Sequence, residues 1–191
     1  MIYSGQFTVV LDACTIYPFY VRDILLSLAS RQMFTPKWSD MILLEVRSAI
    51  LRNLSDQTEA KVDKINAAMN RAFPDAEVNG FDDLIAMDSL PDPNDNHVLA
   101  CAIHCKADAI VTFNLKDFPD SPLGKYSISA IHPDDFIADT VNLDVREGEK
   151  ALATMLKRYR RPQSLDMLIN ALSNQRLEKT AKIFIDLFKA R

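Results

Sequence analysis

The chain is 191 residues long, the size of one ordinary domain or of one domain with a small appendage. Its 48% hydrophobic and 25% charged residues, with only 4 Gly, exclude disordered, collagenous and disulfide-stapled classes and predict a soluble globular protein. A net charge of -4, from 22 Lys and Arg against 26 Asp and Glu, gives no global attraction for nucleic acid; a basic face can still exist locally if some acids surround a bound cation. No apolar stretch approaches the roughly 20 residues a membrane span needs. Residues 1–6 lack the basic and apolar pattern of an export signal, so the expected location is the cytoplasm, without a membrane partner. The odd set Cys14, Cys101 and Cys105 suits reduced thiols there.

In chain order, the block Phe7-Thr8-Val9-Val10-Leu11 is short, apolar and rich in β-branched residues, and it stops at Asp12. It reads as a buried strand with a carboxylate at its carboxyl end. Helical periodicity follows over residues 17–31, 39–54, 56–73 and 93–105. A second strand is read at Ala109-Ile110-Val111-Thr112, and a weaker one at residues 127–131, stopped by Pro133. Strands separated by helices predict a parallel α/β sheet, in which ligands sit beyond the carboxyl ends of the strands. Beyond Pro133, helices are read at residues 147–159, 164–174 and 176–189, broken at Arg161-Pro162 and at Ser173-Asn174-Gln175. The division is therefore a sheet domain over residues 1–133 and a helical extension over 134–191. The extension's apolar stripes, such as Leu165, Leu168, Ile169 and Leu172, can pack on the sheet domain or on a second copy of the chain.

Four acidic positions stand out. Asp12 closes the first strand, Glu45 interrupts the apolar run Met41-Ile42-Leu43-Leu44, Asp95 opens an alanine-rich helix, and Asp117 follows the strand that ends at Thr112. Each also has a purely structural reading: Asp12 can cap the next helix, Glu45 can lie on the surface, and Asp117 can be a loop residue. Asp92-Pro93-Asn94-Asp95 makes a good helix start by itself, with Asp92 as cap and Pro93 at the first position. Taken together, carboxylates converging at strand ends repel one another unless a cation neutralises them. Carboxylates without His and Cys select hard ions, Mg²⁺ or Mn²⁺, and such sites activate water and stabilise phosphodiester displacement.

The pieces Val9-Val10-Leu11-Asp12, Glu45, the run Asp92-Pro93-Asn94-Asp95-Asn96-His97-Val98-Leu99-Ala100-Cys101-Ala102 and the block Ile110-Val111-Thr112-Phe113-Asn114-Leu115-Lys116-Asp117-Phe118 together resemble the PIN domains, and within them the VapC-like toxin ribonucleases. The resemblance covers residues 7–118 and its second half is the more specific. It implies a PIN-like parallel β-sheet flanked by helices and Mg²⁺- or Mn²⁺-dependent cleavage of RNA. It further implies metal ligation by Asp12, Glu45, Asp95 and Asp117, a cognate antitoxin protein as partner, and a homodimer. The helical tail looks like an extension carried by one subgroup of these toxins. Many relatives have Asp where this chain has Asn114, which removes one charge and weakens the hold on a second ion; the Asn114 amide can still orient a metal-bound water. Thr112 is expected to offer its hydroxyl to phosphate or to metal-bound water. Two other readings stay open: an impaired PIN-like RNA-binding or scaffold module, and an RNA-processing nuclease without an antitoxin.

RNA has to be drawn to this acidic pocket, and Arg47, Arg52 and Lys116 are the best-placed cations. Arg52, two turns from Glu45, lies on nearly the same helical face about 10 Å away. The run Lys157-Arg158-Tyr159-Arg160-Arg161 is denser but suits a solvated helix end equally well. His97, Cys101 and Cys105 share one helical face, spread over about 12 Å, too far to wrap one soft metal ion, and so read as core residues. By helical geometry His97 lies roughly 200° from Asp95 and is expected to point away from the metal. Asp12-Ala13-Cys14 lacks the second Asp of a phosphoaspartyl phosphatase, and there is no Gly-rich phosphate loop.

Overall fold

The computed structural model describes residues 7–53, 58–85, 90–159 and 165–189. The expected boundaries at Leu54 and Asp56, the break at Arg161-Pro162, Arg160 and the N-terminal residues 1–6 lie outside these. The chain runs β1 (Thr8–Leu11), α1 (Ala13–Ile16), α2 (Phe19–Ala29), β2 (Thr35–Lys37), α3 (Asp40–Asn53), α4 (Glu59–Ala72) and α5 (Asp82–Ile85). A 3₁₀ turn, Pro93–Asp95, then leads into α6 (Asn96–His104) and β3 (Ala109–Val111). After a second 3₁₀ turn, Leu115–Asp117, come α7 (Asp120–Gly124), β4 (Ser129–Ile131), α8 (Pro133–Leu143), α9 (Val145–Arg158), α10 (Leu165–Asn174) and α11 (Glu178–Phe184). No described helix is long and apolar enough to cross a membrane.

The strands form one parallel sheet in the order β2-β1-β3-β4. Val9, Val10 and Leu11 pair in register with Ala109, Ile110 and Val111, and all six are buried, as their apolar blocks require. β2 carries no such block: Thr35-Pro36-Lys37 escapes a reading based on hydrophobic runs, and its proline is tolerated because the strand lies at the sheet edge. The connection from β1 goes to one neighbour, and the chain then returns to the other side of β1 at β3. That reversal of strand order creates a crevice between the carboxyl ends of β1 and β3. Asp12 and Thr112 are the next residues after those two ends, and the Asp12 N–H donates to the Val111 carbonyl at 3.1 Å.

Two helix boundaries depart from the sequence reading. The helix expected over residues 17–31 starts only at Phe19, since Pro18 has no N–H to continue α1, which ends at Ile16. Pro133 opens α8 instead of merely stopping a strand. It occupies the first turn, where the missing N–H costs nothing, and His132 Nδ1 caps the helix by accepting from the Asp134 N–H at 3.2 Å.

The helices after β4 share the core of the sheet domain. Leu152 and Met155 of α9, Leu168 and Leu172 of α10 and Phe184 of α11 belong to the same buried cluster as Ile24, Leu25 and Leu28 of α2. Phe136 of α8 meets Phe34 edge-to-face at 4.8 Å. Gly148 lets α9 approach α8 closely, since a Cβ there would lie 2.9 Å from Val141 Cγ1. Polar ties reinforce this seam: Arg31 pairs with Glu147, and Arg158 donates to Asp23 at 2.7 Å and to Ser27 at 2.8 Å. Arg158 is thereby taken out of the basic run. Asp134, buried at the start of α8, accepts from the backbone N–H groups of Lys179 and Thr180 and from the Thr180 hydroxyl at 2.7–3.0 Å. A carboxylate from α8 thus caps α11 from across the fold.

Candidate metal centre

The crevice beyond β1 and β3 opens into a cavity of about 520 Å³ whose lining includes Asp12, Glu45, Asp95, Asn114 and Arg52. The end of β1 supplies Asp12, the exposed side of α3 supplies Glu45, and the 3₁₀ turn before α6 supplies Asp95. Asn114 follows β3 at the start of the turn that carries Asp117, whose N–H donates to the Asn114 carbonyl at 2.9 Å.

Asp12 is almost fully buried and held from two sides. The Thr112 hydroxyl donates to its Oδ2 at 2.7 Å and the Cys14 thiol donates to the same oxygen at 3.0 Å. Thr112 Oγ1 in turn accepts from the Asn114 N–H at 3.0 Å, and Cys14 Sγ accepts from the Phe113 N–H at 3.2 Å. This network joins the ends of two adjacent strands and fixes the loop that leads to Asn114. Thr112 is fully buried, so its hydroxyl orients Asp12 instead of reaching phosphate or a solvated ion. Burial and the neighbouring Asp12 push the Cys14 thiol up to about 12, so it remains protonated and serves as a donor.

Asp95 reports how closely the acids gather. Its carboxyl is pushed up to about 6, first by burial and then by the negative charges of Asp12, Asp92, Asp117 and Glu45. The other three sequence-predicted carboxylates therefore all lie near enough to act on Asp95. Among the described residues, none of the four is paired with a lysine or arginine. Asp95 also makes no capping hydrogen bond to α6, which removes the simplest structural reason for its position.

Glu45 has an unforeseen partner. His97 Nε2 lies 3.0 Å from Glu45 Oε1, with the ring buried and the carboxylate about half exposed. The expectation that His97 points away from the site is thus corrected. Asp95 stands in a 3₁₀ turn, where the α-helical angle between the two residues does not apply, and α3 brings Glu45 over to the ring. Buried His97 Nδ1 has no partner, so the contact with Glu45 is the ring's hydrogen-bonding tie. Cys101 is buried in α6 and Cys105 half-buried after it; all three cysteines are free thiols. Arg47, expected to face RNA, is instead bound to Asp63 at 2.9 Å and Glu59 at 2.7 Å of α4. Arg52 does line the cavity, its Nε donating to the Ser48 carbonyl at 3.3 Å. Lys116 is exposed beside Asp117.

The donor set is hard and anionic: carboxylate oxygens, one amide and no close cationic partner, which suits Mg²⁺ or Mn²⁺. Among the described residues no three His, Cys, Asp or Glu side chains come close enough together to hold a metal ion between them. An open cavity of this kind suits an ion that keeps several waters and meets one or two carboxylates directly.

A family model for the PIN domain matches residues 8–116, and one for the VapC50 C-terminal domain matches residues 133–184. Over 104 residues the chain is 39% identical to the Mycobacterium tuberculosis protein named "Putative ribonuclease VapC50". That match covers 54% of this chain and 61% of the relative, so the chain spans less than two thirds of the relative's length. No solved structure matches it. With more than half of its length matched by that first model, on the parallel sheet and cavity just described, the chain belongs to the PIN-domain family and carries a VapC50-type C-terminal helical domain.

Proposed function

We propose that the chain is a divalent-metal-dependent endoribonuclease, the toxin of a toxin–antitoxin pair, with residues 1–133 as the nuclease unit and 134–191 as a helical extension braced on α2. The observation that carries this reading is that Asp12, Glu45 and Asp95 line one cavity, with Asp95 also under the charge of nearby Asp117, and that none of the four has a lysine or arginine partner among the described residues. Such an arrangement costs stability unless a cation binds there. Asp12, Asp95 and Asp117 would hold Mg²⁺ or Mn²⁺, one or two of them directly and the rest through its waters, with Glu45 as a further ligand or as the base. When bound there, such an ion would supply Lewis acidity toward the phosphodiester and the attacking water.

The chain's own groups do the rest. Thr112 and Cys14 fix Asp12 Oδ2, which leaves Oδ1 for a ligand. His97 holds the half-exposed Glu45 carboxylate, which takes the proton of the attacking water. Asn114 orients water through its amide, and Arg52 and Lys116 attract the RNA phosphates. The partner is a cognate antitoxin protein and the assembly a homodimer, a reading supported by the family resemblance.

The competing reading is an impaired PIN-like RNA-binding module, favoured by Asn114, an uncharged group lining the cavity where many relatives carry Asp. Cleavage of single-stranded RNA with added Mn²⁺ separates the two. A nuclease cuts, and Asp95→Asn abolishes the cutting while Mn²⁺ titration of the same variant shows weakened binding. Absence of metal-dependent cleavage by the unaltered chain would leave the binding module.

A further inference from the structure

Beside the carboxylate cavity lies a second one of about 790 Å³, within the size range of small-molecule sites. The two share Cys14 and Tyr17 in their linings and so adjoin each other. The second cavity is walled by Tyr17, Phe19, Tyr20 and Phe113 and carries two polar side chains, Arg22 and Gln175. Phe19 is 47% exposed, a large ring left open to solvent, with Tyr20 edge-on at 5.2 Å. The Arg22 guanidinium is anchored from below: its Nη1 donates to the Ile16 carbonyl at 2.8 Å, at the end of α1, and its Cζ lies 5.8 Å from the Phe19 ring centroid. Gln175 Oε1 is buried and without a partner, an acceptor that needs a donor.

We propose that this cavity is a subsite for one unpaired RNA base next to the scissile phosphate. Unpaired bases are recognised by stacking on aromatic or guanidinium planes together with hydrogen bonds along their edges. The cavity offers both: ring faces, donors on Arg22 and an acceptor on Gln175. A base edge carries donors and acceptors side by side and satisfies both residues. An apolar side chain from a protein partner fills the aromatic part but leaves Gln175 Oε1 unpaired. Adjacency to the carboxylates places the base within one nucleotide or so of the cut. The subsite deepens the nuclease reading and rests on it for its position relative to the cut.

The test measures binding, so it does not depend on turnover. Fluorescent single-stranded RNA carrying an abasic residue at each position in turn is titrated against the full chain bearing Asp95→Asn, alone and combined with Phe19→Ala, Phe19→Leu or Gln175→Leu. Thermal melts of each variant verify folding, which the exposure of Phe19 favours. At one position the abasic residue weakens binding about fivefold to a hundredfold, and the loss at that position shrinks in Phe19→Ala and Phe19→Leu, which lack the ring face, and in Gln175→Leu. An abasic scan flat at every position, or a loss that persists undiminished in the Phe19 and Gln175 variants, overturns the proposal. If the unaltered chain fails to cut RNA yet the abasic scan keeps its single sensitive position, the nuclease reading fails and the base subsite stands.

Discussion

Replacing Asp95 with Asn is expected to stabilise the metal-free protein, although most substitutions destabilise. The folded protein raises this carboxyl from 3.8 to about 6, so its ionised form is disfavoured on folding. Below pH 3.8 the group is protonated in both folded and unfolded chains and nothing is lost. As pH rises from about 4 to 6 the unfolded chain ionises first, stability falls, and the full cost is present above pH 6. Two units correspond to about 3 kcal/mol at most. Asp95 is only partly buried and solvent screens its neighbours, which reduces the figure to about 1–2 kcal/mol. Asn removes the charge and sacrifices no capping hydrogen bond. In EDTA at pH 7.5 the variant should melt about 2–8 °C higher than the unaltered chain, and the gap should close toward pH 4. Saturating Mn²⁺ should reverse the order, since an ion at 100 times its Kd adds about 2.7 kcal/mol to the chain that binds it. Equal destabilisation of the variant at pH 4 and pH 7.5 would refute the crowding of carboxylates on which the site rests.

Three further substitutions probe the supports of the site and of the fold. Thr112→Val keeps the shape but loses the donor to Asp12 and the acceptor for the Asn114 N–H; urea unfolding should show a loss of about 2–3 kcal/mol, and Mn²⁺ affinity should fall with it. His97→Leu frees Glu45 from its buried partner, so kcat for RNA cleavage should drop about tenfold while the KM for RNA is retained. Asp134→Ala strips three donors at the start of α11 of their acceptor, and denaturant unfolding should register a loss of about 3–5 kcal/mol, with Asp134→Asn intermediate.

What the sequence reveals and what it conceals divide along a physical line. β1 and β3 are legible because a strand buried on both faces must be a continuous apolar block, and their parallel pairing follows from the helices between them. That alone brings Asp12 beside Thr112 across 100 residues. β2 is illegible because three residues with a proline carry no periodic signal. Pro133 is ambiguous because a proline ends one element and opens another with equal ease, and only the cap from His132 decides.

The same line runs through the site. Periodicity within one element says which residues share a face, so Glu45, Asp95 and Asp12 can be read as pointing out of their elements toward a common ligand. It says nothing about how one helix is rolled against another. The tie between His97 and Glu45, 52 residues apart, depends on the roll of α3 against α6, and the turn before α6 adopts a 3₁₀ geometry that the helical wheel does not describe. The inward rotation of the Thr112 hydroxyl is likewise decided by Asp12, a neighbour on another strand. Candidate site residues that carry charge are therefore legible from residue type and place. Those whose role is to hold a charged neighbour became visible only when the elements were assembled, and the substitutions of Thr112 and His97 test that second group separately from the first.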